Sequence, residues 1–199
     1  MSDNHKVFIV DDDAAVRDSL NMLLEAAGYS VLTFPSASDF LNAYSPDTAG
    51  CIILDVNMPD MDGPALQKEV TRRGLYLPII FLSGQGTIPI TVRAIQAGAM
   101  NFLTKPVNGS VLLALVEEAL EQSCRLRQQA EVKESIEKKM AKLSERERKV
   151  MMLAIDGHSS KEIGIRLFIS TRTVELHRAH VIKKMEVTNM IELAQLVKP

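Results

Sequence analysis

Short apolar runs alternate with stretches in which apolar residues recur every three or four positions over residues 5–121, a pattern that predicts a parallel β/α arrangement. Val7-Phe8-Ile9-Val10 is unbroken apolar, as expected of a strand covered on both faces. Val16, Leu20, Leu23, Leu24 and Ala27 then share one helical stripe, which Gly28 ends. Residues 31–34 predict a second strand, and Ser36 with Asp39 predicts a capping box for the next helix. A third strand covers 51–54 and ends at Asp55, and a helix runs from Gly63 to near Arg73. Residues 79–82 predict the fourth strand, followed by a helix ending near Gly98, and Phe102 and Leu103 lie in the fifth. A last helix starts near Ser110 and turns Leu112, Leu115, Val116, Ala119 and Leu120 inward.

The pattern changes over residues 123–142. Apolar positions thin out to Leu126, Ala130, Val132, Ile136 and Met140, charged and Gln residues dominate, and Gly and Pro are absent. Good helix formers fill the segment, so it reads as a solvated helical linker continuing the preceding helix, or as a coiled coil with a ragged heptad. Four short helices follow. Ser144 with Glu147 and Ser159 with Glu162 are capping boxes, Ser170 caps a third helix, and Asn189 begins a fourth. Val174, His177, Val181 and Met185 recur at helical spacing in the third.

Composition is that of a globular protein, with 46% hydrophobic and 24% charged residues. No apolar run is long enough to span a bilayer, and Met1-Ser2-Asp3-Asn4-His5-Lys6 lacks the apolar core of a signal peptide, so the expected location is the cytoplasm. Cys51 and Cys124 lack metal-type spacing and read as free thiols. The net charge of −2 is unevenly spread: −8 over residues 1–124, +3 over 125–143 and +3 over 144–199. Contact with a nucleic acid is therefore expected in the C-terminal part.

In a parallel sheet, reactive groups collect at the carboxyl ends of the strands. Asp11, Asp12 and Asp13 follow the first strand, Asp55 the third, Ser83 the fourth, and Lys105-Pro106 the fifth. Each alone would be a turn residue, a cap or a surface charge. Together they predict an acidic pocket with one lysine, a set that calls for a hard divalent cation such as Mg²⁺. One carboxylate could then attack a phosphoryl group while the cations neutralise its oxygens.

Val10-Asp11-Asp12-Asp13, Leu54-Asp55-Val56-Asn57-Met58-Pro59, Ser83-Gly84 and Lys105-Pro106 resemble the signatures of response-regulator receiver domains. The resemblance implies that Asp55 takes a phosphoryl group from a histidine kinase. It makes Asp11 and Asp12 an acidic pair, with Asp12, Asp55 and the Asn57 carbonyl as Mg²⁺ ligands. Ser83 becomes the switch hydroxyl, Phe102 the switch aromatic and Lys105 the phosphate-binding lysine, with Lys105–Pro106 cis. Asp13 is left to cap the following helix. Gly84-Gln85-Gly86-Thr87-Ile88-Pro89 resembles a Gly-His-Gly-Asp-Val/Ile-Pro loop of FixJ-type members, but has Gln85 for His and Thr87 for Asp. Ser83 likewise replaces the commoner Thr.

In the C-terminal part, two short capped helices, the second longer and basic, predict a helix-turn-helix. Basic residues on one helix face are more often merely solvated than functional. However, Leu143-Ser144-Glu145-Arg146-Glu147, Lys161-Glu162-Ile163-Gly164 and Ser170-Thr171-Arg172-Thr173-Val174-Glu175-Leu176-His177 are similar to LuxR/FixJ-type DNA-binding domains. That resemblance makes residues 171–185 the recognition helix. Glu175, Leu176 and Ala179 would face bases, with Arg172, Arg178 and Lys183 among the phosphate contacts. It makes the last helix, around 191–197, a dimerisation helix. His177 and His180 lack metal-ligand company.

The chain is thus expected to be a response regulator of the FixJ/NarL (LuxR-type helix-turn-helix) family. The expected architecture is an α/β doubly wound five-stranded parallel sheet, CheY-like or flavodoxin-like, over 5–121. A helical linker over 122–140 joins it to an all-α four-helix helix-turn-helix domain over 141–199. Expected partners are a sensor histidine kinase, double-stranded promoter DNA, a second copy when phosphorylated, and RNA polymerase, with no membrane. An Asp-nucleophile phosphatase needs a second Asp two residues after the nucleophile. Asn57 stands there, so no enzyme activity is expected beyond self-phosphorylation and slow dephosphorylation. A nucleotide-binding enzyme is disfavoured because Gly84-Gln85-Gly86 lacks the third glycine, and an RNA binder because aromatic stacking motifs are missing.

Overall fold

The computed structural model describes residues 5–45, 48–84 and 95–197. The chain divides into two compact units, Met1–Gln128 and Gln129–Pro199. In the first unit the order is β1 (His5–Val10), α1 (Ala14–Ala26), β2 (Ser30–Phe34), α2 (Ala37–Ala43), β3 (Ala49–Asp55), α3 (Gly63–Arg72), β4 (Ile79–Ser83) and β5 (Asn101–Thr104). The strands form one parallel sheet in the order β2-β1-β3-β4-β5, which is the doubly wound arrangement expected. The helix expected to end at Gly98 lies mainly in residues 85–94, outside the described residues, as does nearly all of the Gly84–Pro89 motif.

Side-chain alternation along the buried strands divides the core between the two faces of the sheet. Phe8, Val10, Ile52, Leu54 and Phe81 pack on one side with Phe40 of α2 and Leu66 and Val70 of α3. Val7, Ile9, Cys51, Ile53, Ile80 and Leu82 pack on the other with Leu20 and Leu24 of α1. The register then decides what lies at the carboxyl edge. Val10 pairs with Leu54, so Asp11 and Asp55 leave adjacent strands side by side. Ser83 pairs with Thr104, which brings Lys105 to the same edge.

Helix α4 (Gly109–Ala141) is 33 residues long and continuous, as the lack of Gly and Pro after residue 109 suggests. Leu112, Val116 and Ala119 face the core of the first unit. Ser123, expected to open a solvated segment, is instead fully buried. Its hydroxyl accepts from the Gly50 N–H at 3.2 Å and donates to the Tyr76 carbonyl at 3.2 Å, so both hydrogen-bonding capacities are met away from water. A polar residue that small, with two backbone partners, belongs inside.

The second unit contains α5 (Glu145–Ile155), α6 (Ser160–Leu167), α7 (Thr171–Met185) and α8 (Met190–Val197). Ser144 with Glu147 and Ser159 with Glu162 form reciprocal capping boxes. Ser170 caps α7 through the Thr173 N–H, and Asn189 Oδ1 caps α8 by accepting from Ile191 and Glu192. At α2 the expected box is partial: Ser36 Oγ accepts from the Asp39 N–H and donates to the Asp39 side chain. Leu143, Met151, Val181, Met185 and Leu193 make one core cluster, joined by Ile136 and Met140 from the end of α4. Val150, Ile163 and Val174 make another, with Leu153, Leu167 and Ile169 against it. Gly164 is a steric requirement, since a Cβ there would approach the Ile169 carbonyl to 2.8 Å.

Candidate functional site

At the carboxyl edge of the sheet, the Lys105 ammonium lies 2.6 Å from Asp11 Oδ2 and 2.6 Å from Asp55 Oδ1. Both carboxylates are nearly excluded from solvent, at 2% and 8% side-chain exposure, so the lysine is their principal compensation. Burial raises the Asp11 pKa above the usual carboxylate value, more than hydrogen bonds from Lys105 and the Asp13 N–H lower it. Burial also works against the Lys105 ammonium, but its hydrogen bonds to Asp11 and Asp55 outweigh that and raise its pKa. The Asn57 N–H donates to Asp55 Oδ2 at 2.7 Å, so both oxygens of Asp55 are oriented.

Next to Asp11 in sequence, Asp12 is exposed. Asp13 Oδ1 accepts from the Ala15 and Val16 N–H groups, which makes it the N-cap of α1. Ser83 is fully buried, and its carbonyl accepts from the Lys105 N–H at 2.8 Å. Phe102 is half-buried, with its ring 6.3 Å from that of Phe81. The Lys105–Pro106 peptide is cis.

In the second unit, Val174, Val181 and Met185 of α7 are buried. On the opposite face, the 3.6-residue repeat aligns Arg172, Glu175, Leu176, Ala179 and Lys183 in one exposed stripe. One of the expected DNA contacts lies elsewhere. Arg178 is half-buried off this stripe, and its Nη1 donates to Ser160 Oγ at 2.9 Å, joining α7 to the first turn of α6. His177 sits on the inner side, with Nδ1 buried and without a hydrogen-bond partner among the described residues.

Two family models match the chain: the response regulator receiver domain over residues 7–117, and the bacterial regulatory proteins of the luxR family over 141–197. The transcriptional regulatory protein FixJ of Azorhizobium caulinodans is 39% identical over 196 residues, covering 98% of this chain and 93% of its own. The response regulator protein TodT of Pseudomonas putida is 39% identical over 199 residues, covering 100% of this chain and 88% of its own. The chain belongs to the LuxR-type response regulators. Among solved structures, the response regulator StyR is 39% identical with a TM-score of 0.83, covering 98% of each chain. Full-length FixJ from B. japonicum is 39% identical with a TM-score of 0.60, covering 99% of this chain and 97% of that one. A receiver followed by a LuxR-type DNA-binding domain makes the chain a two-component transcriptional regulator.

Receivers of this family generally use Mg²⁺ for phosphorylation, and the donor chemistry of this response regulator suits that ion. Asp11, Asp12 and Asp55 outnumber Lys105, and every available donor is a hard oxygen. Among the described residues no group of three or more His, Cys, Asp or Glu side chains is gathered to hold a metal.

Several supporting contacts of this response regulator were not predicted from sequence. Gly63, where α3 begins, lies so close to Asp55 that a Cβ would collide with the Asp55 carbonyl. Arg17 Nη1 donates to the Asp11 carbonyl at 2.7 Å and holds the acidic turn from α1. Glu147 is buried, and accepts from Lys184 Nζ and the Ser144 N–H, both at 2.7 Å, tying α5 to α7. The Asp62-Gly63-Pro64 run at a helix start and the Ser144–Glu147 capping box were the available signals, whereas Lys184 lies 37 residues from Glu147. Among the described residues, no helix is long and apolar enough to cross a membrane.

Proposed function

We propose that Asp55 accepts a phosphoryl group from a sensor histidine kinase and that this controls binding of promoter DNA by α7. The observation that carries the reading is the single ammonium of Lys105 shared by Asp11 and Asp55 at 2.6 Å each. An Asp55 carboxylate oxygen attacks phosphorus as the P–N bond to the kinase imidazole breaks, and the phosphohistidine, protonated on its other ring nitrogen, leaves as the neutral ring. Lys105 then neutralises a phosphoryl oxygen, and the Asn57 N–H keeps the carboxyl plane in place. Asp12, Asp55 and the Asn57 carbonyl would hold Mg²⁺, which supplies Lewis-acid neutralisation of the transferred group.

The new phosphoryl group adds about −1.5 to −2 charges. It draws the Ser83 hydroxyl toward it, Phe102 turns further inward, and the altered receiver surface favours a homodimer. Only the phosphorylated state favours that surface, so the effect is a shift of population. Two recognition helices then address an inverted repeat. Glu175, Leu176 and Ala179 face base edges, and Arg172 and Lys183 meet phosphates. Arg178 braces α6 against α7 and presents its remaining N–H groups to the backbone. The protein works in the cytoplasm, with RNA polymerase as a downstream partner and no enzymatic turnover beyond its own phosphorylation and slow dephosphorylation.

The test is incubation of wild type and Asp55→Ala with Mg²⁺ and labelled acetyl phosphate. Label is expected on the wild type alone, and equal label on both would sink the assignment. Retained phosphorylation without any gain in duplex binding would break the link between the two halves of the proposal.

A further inference from the structure

Phe168 stands out in the second unit on two independent counts. It ends α6 in the left-handed region, at φ 56°, where a side chain other than Gly or Asn is disfavoured. At 95% exposure, it is also the most exposed large hydrophobic side chain among the described residues. Glu186 ends α7 with nearly the same φ, 57°, but its carboxylate is solvated and lies 2.8 Å from Lys139 Nζ. Phe168 gains neither hydration nor an ion pair from its position, and an outlier of this kind asks for a functional account.

The turn is held firmly around it. The Ile169 N–H bonds to the Gly164 carbonyl at 3.0 Å, and the Phe168 N–H bonds to Ile165 at 3.4 Å. Ile169 turns inward against Val150, Ile163 and Val174. With Ile169 inside, Phe168 is presented outward, two residues before Ser170, the N-cap of α7.

In a helix-turn-helix the second helix enters the major groove by its N-terminal residues while the first crosses the backbone. The turn between them therefore passes over a sugar-phosphate strand. Residues 163–174 contain Arg166 and Arg172, both exposed, and neither Asp nor Glu. A ring flanked by two cations complements a strand in which apolar deoxyribose faces alternate with phosphates.

We propose that Phe168 packs on the deoxyribose backbone of the bound duplex, as a sequence-independent apolar contact set between Arg166 and Arg172. This rests on the reading of α7 as a DNA-binding helix. Phe168→Gly is an informative variant because glycine accepts the left-handed conformation without strain, so the turn survives loss of the ring.

Full-length phosphorylated wild type, Phe168→Gly, Phe168→Leu and Arg172→Ala are titrated with a fluorescein-labelled random-sequence duplex over a range of salt. Phe168→Gly is expected to bind about tenfold more weakly, from lost apolar burial. Its slope of log K against log salt stays that of wild type, since no charge is removed, and Phe168→Leu recovers part of the loss. Arg172→Ala flattens the slope. The melting temperature of Phe168→Gly equals or exceeds that of wild type. Unchanged affinity in Phe168→Gly overturns the proposal, as does a lowered melting temperature that accounts for the loss. Normal duplex binding with lost promoter activity overturns it in favour of a protein partner. Failure of the wild type to bind any duplex removes the underlying DNA reading itself, and is a distinct result.

Discussion

Two neighbouring aspartates in the acidic turn carry the same charge and do different work. Asp13 spends its carboxylate on the Ala15 and Val16 N–H groups at the start of α1, while Asp12 stays exposed and is free of that capping role. Asp12→Asn is therefore expected to weaken Mg²⁺ binding at least about tenfold, the scale for a lost charged ligand or its support. Asp13→Ala is expected to leave Mg²⁺ binding nearly intact and to destabilise the protein by about 1 kcal/mol through loss of the cap. Metal titration by fluorescence and urea denaturation read the two effects separately, and a larger Mg²⁺ defect in the Asp13 variant would reverse the assignment. Asp11, Asp55 and Lys105 were legible because strand ends can be located from apolar runs, and parallel strands bring their ends together. The links of Arg178 to Ser160 and of Glu147 to Lys184 were not, because those partners lie 18 and 37 residues away. Nothing in a linear pattern distinguishes a cation turned toward a neighbouring helix from one turned toward a phosphate.

At the scale of elements, the buried Glu147 carboxylate couples the first turn of α5 to the last part of α7. The hydrogen bond from Lys184 leads in holding its pKa down to about 2, helped by Ser144 and opposed by burial. A depressed folded-state pKa contributes stability that is complete above the ordinary value and is lost as pH falls through the folded one. Wild type should therefore exceed Glu147→Gln in melting temperature at neutral pH, and the gap should close as pH falls from about 4.5 toward 2. A gap that stays constant with pH would assign the effect to packing rather than charge. Helix α4 invites a second measurement. Ser123 binds it to Gly50 and Tyr76 near its middle, and Ile136 and Met140 join a core cluster near its C-terminal end. Between them Val132 is 54% exposed. Amide exchange should be slow through residue 127, fastest around 131–135, and slow again toward 140. Uniformly fast exchange from residue 123 onward would mean that the buried serine anchors nothing. Continuity of the helix was readable from composition. The burial of Ser123 was not, since its partners are backbone groups and any small hydroxyl would look alike in sequence.

For the whole molecule, the charge distribution predicts how phosphorylation acts on DNA affinity. The C-terminal 56 residues carry only a +3 excess, so one recognition helix neutralises few phosphates. A dimer makes roughly twice as many contacts, so its slope of log K against log salt should be about twice as steep. Salt titrations of unphosphorylated and phosphorylated protein on one duplex measure this, and equal slopes would point to a change within a single DNA-binding domain. The two-unit organisation was legible from the change in periodicity, yet the boundary between them, after Gln128, falls inside α4. That has a practical consequence for cutting the gene. A fragment beginning at residue 141, where the luxR-family match starts, would discard Ile136 and Met140 from its own core. Half-buried side chains of that size are together worth roughly 2 kcal/mol, or about 10 °C in a domain this small. A fragment beginning at residue 129 should melt higher by about that margin, as calorimetry of the pair would show. Equal melting temperatures would mean that those two side chains add nothing to the fold. Recombination that swaps receivers between regulators faces the same constraint, since a crossover placed at the recognisable edge of the DNA-binding sequence severs a helix whose last turns belong to the following domain.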